Sequence, residues 1–440
     1  MTKASALELP RVGQWHDADE LRALQEERIP QALEWAAEAP YYRRTLGDTS
    51  RVRTIEDLTE LPTITKNDLR AAYPLGLLAV SRERLATYHE SSGTSGRPTS
   101  SFFTAGDWLD VVDRFTRSSI GLTASDTLLV RTPYAMLPTG HQAHQAGLHT
   151  GATVIPADNR TLVVTHARIV QLLRDLDVTV AWCMPTECLL WAAAAREAGL
   201  RADRDFPALR GIMAVGEPLS PARRDLIQRV WGGVPVVQDY GSTETGSLAG
   251  ECAQGRLHLW TDRFVAEVLD PATGRSSATG TGQLTITTLY REAMPLVRYN
   301  LEDQVRISTP DCDCGWRLPV IEVLGRDATS CMLGGTRITQ SALEGLVYTR
   351  LADQGVMFWR ARAAGTTLEI ELEVADEHRG GAEDALDEAV RDRFGIDCRI
   401  RGVPIGSLVP IEALTRQPEF VKPRNLFGAG EDWNKAVTYW

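Results

Sequence analysis

Long apolar runs are missing from this chain. No stretch approaches the roughly 18 apolar residues that a membrane-spanning helix requires. The first residues also lack the apolar core of a signal peptide. The seven cysteines are odd in number and irregularly spaced, which argues against the disulfide framework of a secreted protein. These absences predict a cytoplasmic protein without a membrane partner.

Positive charge is in short supply. Lys and Arg number 47 against 58 Asp and Glu, which gives a formal net charge of -11 at pH 7. This balance argues against nucleic acid and anionic membrane surfaces as partners, so any anionic ligand must be held by local donors. The 440 residues, of which 43% are hydrophobic, are enough for two or three domains with a large core.

Motifs of covalent catalysis and the P-loop motif of phosphate binding are lacking too. The sequence has no Gly-x-Ser-x-Gly elbow, no Cys/His pairing with a recognisable signature, and no P-loop with its lysine. The most informative segment is instead residues 91–98, Ser-Ser-Gly-Thr-Ser-Gly-Arg-Pro. Its small residues let the backbone approach a ligand, its N–H groups can cradle an anion, and Arg97 suits phosphate oxygens. We predict a phosphate-binding loop between two strands; a plain surface turn is the alternative.

The hydrophobic pattern predicts an α/β fold. Helical stretches alternate with short apolar runs from about residue 105 to 245, which is typical of βαβ units and a mainly parallel, covered sheet. These runs are 127–131, 152–155, 178–182, 211–215 and 234–238. Residues 256–325 favour antiparallel strands joined by Gly-rich turns, and a small α+β pattern restarts after 328. Its elements are a helix at 341–353, a strand at 366–374, a helix at 380–393 and a strand at 397–401.

Three further clusters can bind parts of a nucleotide. Gln238-Asp-Tyr-Gly-Ser-Thr-Glu244 follows an apolar strand, where ligands of open α/β sheets bind. Its Tyr can stack on a base, its Gly allows close approach, and Glu244 can hold Mg²⁺. Met294-Pro-Leu-Val-Arg-Tyr-Asn-Leu-Glu-Asp303 places an acid where it can take ribose hydroxyls, and Arg298 can support it or meet phosphate. The third cluster is Gly325-Arg326, with Gly334-Gly335 and Glu344 beyond it. Taken singly, Glu244 can be a surface acid and Asp303 a turn residue.

In this order, the clusters resemble the adenylate-forming superfamily and, within it, the phenylacetate–CoA ligase branch. The resemblance covers nearly the whole chain and includes three further segments: Tyr41-Tyr-Arg43, Leu61-Pro-Thr-Ile-Thr-Lys66 and Gly216-Glu217-Pro218. It implies an ATP- and Mg²⁺-dependent ligase that converts a carboxylic acid to an acyl adenylate, releases pyrophosphate, and then transfers the acyl group to CoA. The predicted domains are a large N-terminal adenylation domain over 1–326, with an antiparallel subdomain at about 250–325, and a small mobile α+β domain over 327–440.

The resemblance also assigns roles to residues. The loop would wrap the β- and γ-phosphates of ATP through Ser91, Ser92, Gly93, Thr94, Ser95, Gly96 and Arg97. Glu244 would bind Mg²⁺ with Thr94 close by, and Asp303 and Arg326 would hold the ribose. The nucleotide would also meet Asp239, Tyr240, Gly241, Ser242 and Thr243, with Tyr240 against adenine. The crevice between acid and nucleotide would be lined by Gly216, Glu217 and Pro218.

Two departures from the family pattern concern the C-terminal part. The lysine that relatives supply from a Pro-rich turn near the end matches Lys422, although Val421 replaces the usual glycine and Lys435 competes for the role. The predicted catalytic residues are thus Lys422, Glu244, Thr94 and Arg97. At the hinge, Gly325-Arg-Asp-Ala328 replaces the usual Gly-Arg-x-Asp, and Gly334 stands where a cation is common. Either the acid has moved to Asp327 or the hinge is altered, so adenylation is better supported than thioester formation.

Other functions therefore stay open. The acceptor can be CoA, an amine or a carrier protein, and the activated group can be another oxyanion, such as nitrite in diazotisation. A catalytically degenerate relative that binds nucleotide or an acyl group is the second alternative. A homodimer is also left open.

Four residues have ligand chemistry suited to zinc. Cys252 and His258 are followed by Cys312-x-Cys314, and three thiolates with one imidazole would form a closed, structural Zn²⁺ site. The alternative is a set of small hydrophobes and a surface histidine. The remaining cysteines, Cys183, Cys188, Cys331 and Cys398, are interpreted as buried thiols.

The acid pocket is expected near residues 134–149, where relatives place residues that contact an aromatic acid. The predicted pocket residues are Tyr134, Gly140, His141, Trp182, Tyr240 and Gly241. Pockets for planar acids combine apolar and aromatic walls with a few polar groups, so an aromatic carboxylic acid is favoured. Helix packing is the alternative role for Trp182 and Met184.

Overall fold

The computed structural model describes residues 9–91, 97–161, 163–309, 312–325, 330–415 and 424–435. The α-helices of this part are α1 (Ala18–Ala37), α2 (Tyr42–Thr45), α3 (Ile55–Thr59), α4 (Lys66–Ala71), α5 (Ala105–Thr116), α6 (Pro138–Thr150), α7 (His166–Asp175), α8 (Pro185–Glu197), α9 (Pro221–Val230), α10 (Gln340–Arg350), α11 (Arg379–Phe394) and α12 (Ile411–Thr415). Short 3-10 turns lie at Arg82–Arg84, Ala352–Gln354, Asp376–His378 and Trp433–Lys435.

The described part of the chain forms twenty strands, ten before residue 270 and ten after it. The first ten are β1 (Leu85–Glu90), β2 (Ser100–Thr104), β3 (Thr127–Arg131), β4 (Thr153–Pro156), β5 (Val180–Cys183), β6 (Gly211–Ala214), β7 (Val236–Ser242), β8 (Gly246–Glu251), β9 (Leu257–Leu259) and β10 (Phe264–Leu269). The next ten are β11 (Ser276–Ser277), β12 (Gly280–Thr288), β13 (Tyr299–Ser308), β14 (Val320–Gly325), β15 (Ser330–Leu333), β16 (Thr336–Thr339), β17 (Trp359–Ala364), β18 (Thr367–Glu373), β19 (Cys398–Val403) and β20 (Leu426–Phe427).

Local sequence signals fix where several helices begin. Thr104 and Asp107 form a capping box at α5: the Thr104 hydroxyl accepts the Asp107 N–H at 3.1 Å, and the Asp107 carboxylate accepts the Thr104 N–H at 2.8 Å. Proline stands in the first turn of α6, α8 and α9, where a missing N–H costs nothing. Helices α8 and α9 follow β5 and β6 directly or after a short loop, so their first turns lie near the carboxyl ends of these strands.

The chain forms two compact units. The first consists of Met1–Ala124, Pro133–Gly151 and Val237–Leu324. Its strands are ordered β11-β10-β12-β13-β14-β9-β8-β7, beside the separate antiparallel pair β1-β2. The pairs β10-β12, β12-β13 and β9-β14 are antiparallel, which confirms the antiparallel strands predicted within 256–325. The pairs β7-β8 and β8-β9 are also antiparallel, although the apolar run 234–238 was predicted as part of the parallel sheet.

The second unit consists of Ser125–Thr132, Ala152–Val236 and Gly325–Trp440. Its strands β4, β3, β5 and β6 pair in parallel in that order. The residues of β5 and β6 are all buried, as expected for a sheet covered on both faces. A second sheet of order β19-β18-β17-β20 and the hairpin β15-β16 supply the α+β part. The mixed α/β class is therefore confirmed.

Two other expectations concern whole regions of the chain. The predicted domain boundary between 326 and 327 lies outside the described residues and stays a prediction. None of the described helices combines the length and apolar character needed to cross a bilayer.

Candidate active site

Glu244 is a buried carboxylate in the turn between β7 and β8. Only 2% of its surface is exposed, so it is not a surface acid. Its Oε1 accepts a hydrogen bond from Thr99 Oγ1 at 2.6 Å and lies 3.7 Å from Lys66 Nζ. Burial raises the pKa of Glu244, but the Lys66 charge and the Thr99 hydroxyl outweigh this effect and lower it. The predicted Mg²⁺ ligand is therefore ionised near neutral pH.

Lys66 and Thr99 are partners that the sequence analysis did not assign. Lys66 begins α4, and Thr99 follows the predicted phosphate loop by one residue. A signal for Lys66 was present, because this lysine ends the segment Leu61–Lys66 that carried part of the family resemblance. A signal for Thr99 was also present in its position beside the loop.

The predicted loop connects β1 and β2, as expected for a loop between two strands. Its first residue is anchored, since the Ser91 N–H donates to Thr99 O at 3.1 Å and the Ser91 hydroxyl accepts the Thr99 N–H at 2.9 Å. Arg97 is exposed, and its carbonyl accepts from Arg70 Nε at 3.2 Å. The root of the loop and Glu244 therefore share the residue Thr99.

Several predicted residues lie outside the described part of the chain. They are Ser92, Gly93, Thr94, Ser95, Gly96, Arg326 and Lys422. Their roles stay predictions.

Strand β7 and strand β13 bring Tyr240 and Asp303 together. The Tyr240 hydroxyl donates to Asp303 Oδ2 at 2.6 Å. Asp303 is buried within β13 and is not a turn residue. A Cβ on Gly241 would lie 2.1 Å from Gly246 O, so only glycine fits beside this turn. The structure thus joins two of the predicted nucleotide residues.

Asp239 points away from this pair into the sheet core. Its Oδ2 accepts from Ser247 Oγ at 2.6 Å. Burial raises the pKa of Asp239 to about 7, although the Ser247 hydrogen bond and the Arg114 charge act against this rise. The Asp239 carboxylate is thus held by β8, and its contact with the nucleotide stays a prediction.

Two arginines of the first unit have fixed partners. The Arg298 guanidinium donates to Glu267 at 2.7 Å and also to the carbonyls of Thr59 and Leu61, so its alternative role as a phosphate ligand is not supported. Arg291, which the sequence analysis did not single out, donates to Glu244 O and to Ser101 Oγ, the latter at 2.8 Å. Arg291 thus links the Glu244 turn to β2, the strand after the loop.

In the second unit, Glu217 belongs to a buried ion-pair cluster. Its Oε2 accepts from Thr186 Oγ1 and from Arg223 Nη2, both at 2.7 Å, and Arg223 also lies 3.7 Å from Glu344. The preceding Gly216 has a φ of 80°, which a side chain would strain. Burial raises the pKa of Glu217, although the Arg223 charge opposes it. This cluster ties the segment Gly216–Pro218 to α9 and α10.

A cavity of about 320 Å³ lies beside α6. It is lined by Ala86, Thr87, Trp108, Tyr134, His141, His144 and Gln145. Tyr134 Oη and His144 Nδ1 are 3.1 Å apart, and burial together with His141 lowers the pKa of His144. A Cβ on Gly140 would lie 2.7 Å from Pro133 O, so the helix packs closely there. Trp182 is fully buried in β5, and its pocket role stays a prediction.

The predicted zinc ligands lie together: Cys252 follows β8, His258 is in β9, and Cys312 and Cys314 precede β14. The ligand atoms of Cys252, His258, Cys312 and Cys314 all fall within 4.8 Å of one another. The Cys252 and Cys312 sulfurs are 3.7 Å apart, and the Cys314 sulfur is 3.5 Å from His258 Nε2. A tetrahedral zinc site requires about 3.7 Å between two sulfurs and about 3.5 Å between sulfur and nitrogen. His258 Nδ1 lies 2.7 Å from Leu318 O, which leaves Nε2 free to face the sulfurs.

Known proteins resemble this chain in sequence. The family model described as "AMP-binding enzyme" matches residues 20–288. The phenylacetate-coenzyme A ligase of Aromatoleum evansii is 30% identical over 396 residues, 87% of this chain and 88% of the relative. The enzyme of the same name from Thermus thermophilus is 32% identical over 342 residues, 75% of each chain.

A solved structure has the same fold. The crystal structure of 2-hydroxyisobutyryl-CoA ligase in the postadenylation state, in complex with 2-HIB-AMP, aligns with a TM-score of 0.84 over 97% of this chain and 95% of the other, at 21% identity. The family match and the sequence identity to the curated relatives show common ancestry in addition to a common fold. The chain therefore belongs to the AMP-binding, adenylate-forming enzymes and, among them, to the phenylacetate-coenzyme A ligase family.

Proposed function

We propose that this protein is an AMP-forming ligase that activates a carboxylic acid, aromatic in kind, with ATP and then transfers the acyl group to CoA. The observation that carries the proposal is the buried, ionised Glu244 held by Lys66 and Thr99 at the root of the Ser/Thr/Gly loop. The names of the relatives support CoA as acceptor, and no observation favours an amine, a carrier protein or nitrite.

The chemistry requires little more than charge and position. A carboxylate oxygen attacks the α-phosphorus of ATP, and the bond to the bridging oxygen of pyrophosphate breaks. The protein must hold the reactants in line and offset negative charge on the leaving group. Lys66 lies 3.7 Å from the Glu244 carboxylate and Arg97 belongs to the loop, so these two cations would offset charge on the phosphates. Mg²⁺ bound by Glu244 would neutralise charge on the phosphates.

The remaining contacts divide the substrates between residues. Tyr240 and Asp303 would hold the nucleoside, since an aromatic face suits adenine and a carboxylate suits two ribose hydroxyls. Gly241 would let the ligand approach β7 closely. Tyr134 and His141, which border the cavity beside α6, would contact the acid. Aromatic and imidazole walls of this kind fit a planar acid.

Lys422 and Arg326 complete the proposed site. Lys422 would meet the phosphate and carboxylate oxygens during adenylation, and Arg326 would contact the ribose. Residues 327–440 would move between adenylation and thioester formation, and the changed hinge Gly325–Ala328 is the place where this step can differ from relatives. The homodimer remains a prediction.

Zn²⁺ is proposed as a structural ion. The donor set and the interatomic distances of Cys252, His258, Cys312 and Cys314 fit a closed tetrahedral site. Four protein ligands leave no position for water, so the ion would have no catalytic part. It would join the end of β8 to the loop before β14.

The decisive experiment is acid-dependent exchange of labelled pyrophosphate into ATP, with a panel of aromatic and aliphatic acids. We expect exchange with at least one aromatic acid. AMP should form over repeated turnovers only when CoA is added. Absence of exchange with every acid, in protein that binds ATP, would overturn the ligase proposal and indicate a nucleotide-binding protein. Exchange without thioester formation would overturn only the CoA step.

A further inference from the structure

The pairing of β7, the strand that contains Tyr240, with β8 is irregular beside Tyr240, and the extra residue lies in β8. In its pairing with β8, Asp239 lies opposite Gly250 and Tyr240 opposite Ala249, but Gly241 lies opposite Ser247. Leu248 is therefore an extra residue, which makes a β-bulge. Bulges bend a strand and re-aim its side chains, and they are common next to active sites.

Trp260, which follows β9, holds this bulge with both of its N–H groups. Its backbone N–H donates to the carbonyl of Leu248, the extra residue, at 2.9 Å. Its indole Nε1 donates to Ser247 Oγ at 3.0 Å, and the Ser247 hydroxyl donates in turn to Asp239 Oδ2 at 2.6 Å. A continuous hydrogen-bond chain thus runs from Trp260 across the bulge to β7.

The chain is buried and closely packed. Trp260 and Ser247 are fully buried, and Asp239 is nearly so. A Cβ on Gly250 would lie 2.5 Å from the Trp260 ring, so the glycine leaves room for the indole. Loss of one member would leave buried polar atoms without partners, which is costly.

The position of Asp239 controls where Tyr240 points. Successive side chains of a strand face opposite sides of the sheet, so fixing Asp239 on the core side fixes the rotation of β7 and the direction of Tyr240 on the other side. Tyr240 in turn donates to Asp303. The bulge also sets the approach of Gly241 to the turn at Gly246.

We infer that Trp260 and Ser247 are positioning residues for nucleotide binding, which act through the bulge and Asp239 and do not touch the nucleotide. The inference rests on the proposed function, because it presumes that Tyr240 and Asp303 contact a nucleoside. Sequence motifs did not reveal either residue, since both act across strands.

The test is AMP binding measured by calorimetry for the wild type, Ser247→Ala, Trp260→Phe and the double variant. We expect each single variant to weaken AMP binding by about tenfold, in the range for one lost buried hydrogen bond. The AMP affinity of the double variant should not fall below that of the single variant with the lower affinity, because both changes break the same hydrogen-bond chain. Thr285→Val is the matched control: it removes a fully buried hydroxyl that has no hydrogen-bond partner among the described residues of the chain. Its AMP affinity should equal that of the wild type.

Thermal unfolding separates positioning from general loss of structure. AMP affinity should fall in Ser247→Ala even at temperatures where its unfolded fraction is negligible. Wild-type affinity in Ser247→Ala would overturn the inference, and this variant alone suffices if Trp260→Phe does not fold. Additive losses in the double variant would overturn the claim that Trp260 acts through Ser247. A wild type that binds neither AMP nor ATP would instead overturn the proposed function and, with it, this inference.

Discussion

Lys66 Nζ lies 3.7 Å from Glu244 Oε1, and it supplies the main opposite charge that keeps this buried carboxylate ionised. The Lys66 side chain is partly exposed, whereas that of Glu244 is almost fully buried. The lysine therefore has one side toward the carboxylate and another toward solvent. A cation in this position can serve both Glu244 and a phosphate bound by the loop.

Replacement of Lys66 by Ala should lower pyrophosphate exchange by about 10²-fold, the effect of losing one preorganised charge contact. The same change removes the charge that lowers the pKa of Glu244, so the acid limb of the activity profile should move to higher pH. Lys66→Arg keeps the charge and should leave the acid limb near its wild-type position. An unchanged acid limb in Lys66→Ala would contradict the assigned role of the pair.

Replacement of Lys422 by Ala should also lower pyrophosphate exchange by about 10²-fold or more, because a cation that meets the reacting oxygens would be lost. Lys435→Ala is the matched control, since Lys435 is the other lysine near the end of the chain. Near-normal exchange in Lys422→Ala, together with loss in Lys435→Ala, would move the role to Lys435.

Protein purified without added metal should contain about one equivalent of zinc, because the four ligands form a complete tetrahedral set. Cys312→Ser should lose the ion and lower the midpoint of thermal unfolding, and a chelator should lower the wild-type midpoint in the same way. Cys398→Ser is the control: its sulfur lies outside the cluster and donates to Asp387, which a hydroxyl can also do. Zinc content near zero in the wild type, with a midpoint insensitive to chelator, would refute the site.

The buried strands of the second unit were predictable because each carries its own signal. A strand covered on both faces is a short, continuous apolar run, and β3 has the predicted bounds Thr127–Arg131. The helix predicted over 380–393 corresponds to α11, Arg379–Phe394. Strand β17, Trp359–Ala364, was not predicted, because its arginines alternate with buried residues and weaken the apolar signal.

The partners within the site were harder to predict, because they come from distant parts of the chain. Thr99 and Glu244 are 145 positions apart, and their contact depends on how β2 and β7 lie in the first unit. Glu244 itself was predicted as a ligand, but only the fold shows that it is buried and paired. The bulge at Leu248 also has no local sequence signal, since it arises from pairing between strands.

Asp239 should make stability depend on pH. Burial raises its pKa in the folded protein to about 7, against 3.8 for an ordinary aspartate. Between these two values the folded protein keeps a proton that the unfolded chain has released, so the free energy of unfolding should fall as pH rises through this window and level off above about 7.

Asp239→Asn cannot ionise, and its amide oxygen can still accept from Ser247. The urea midpoint of Asp239→Asn minus that of the wild type should therefore be larger at pH 8 than at pH 5. Asp384→Asn, at an exposed position of α11, should give the same difference from the wild type at both pH values. If the urea midpoints of Asp239→Asn and the wild type differ by the same amount at pH 5 and pH 8, Asp239 ionises normally in the folded protein.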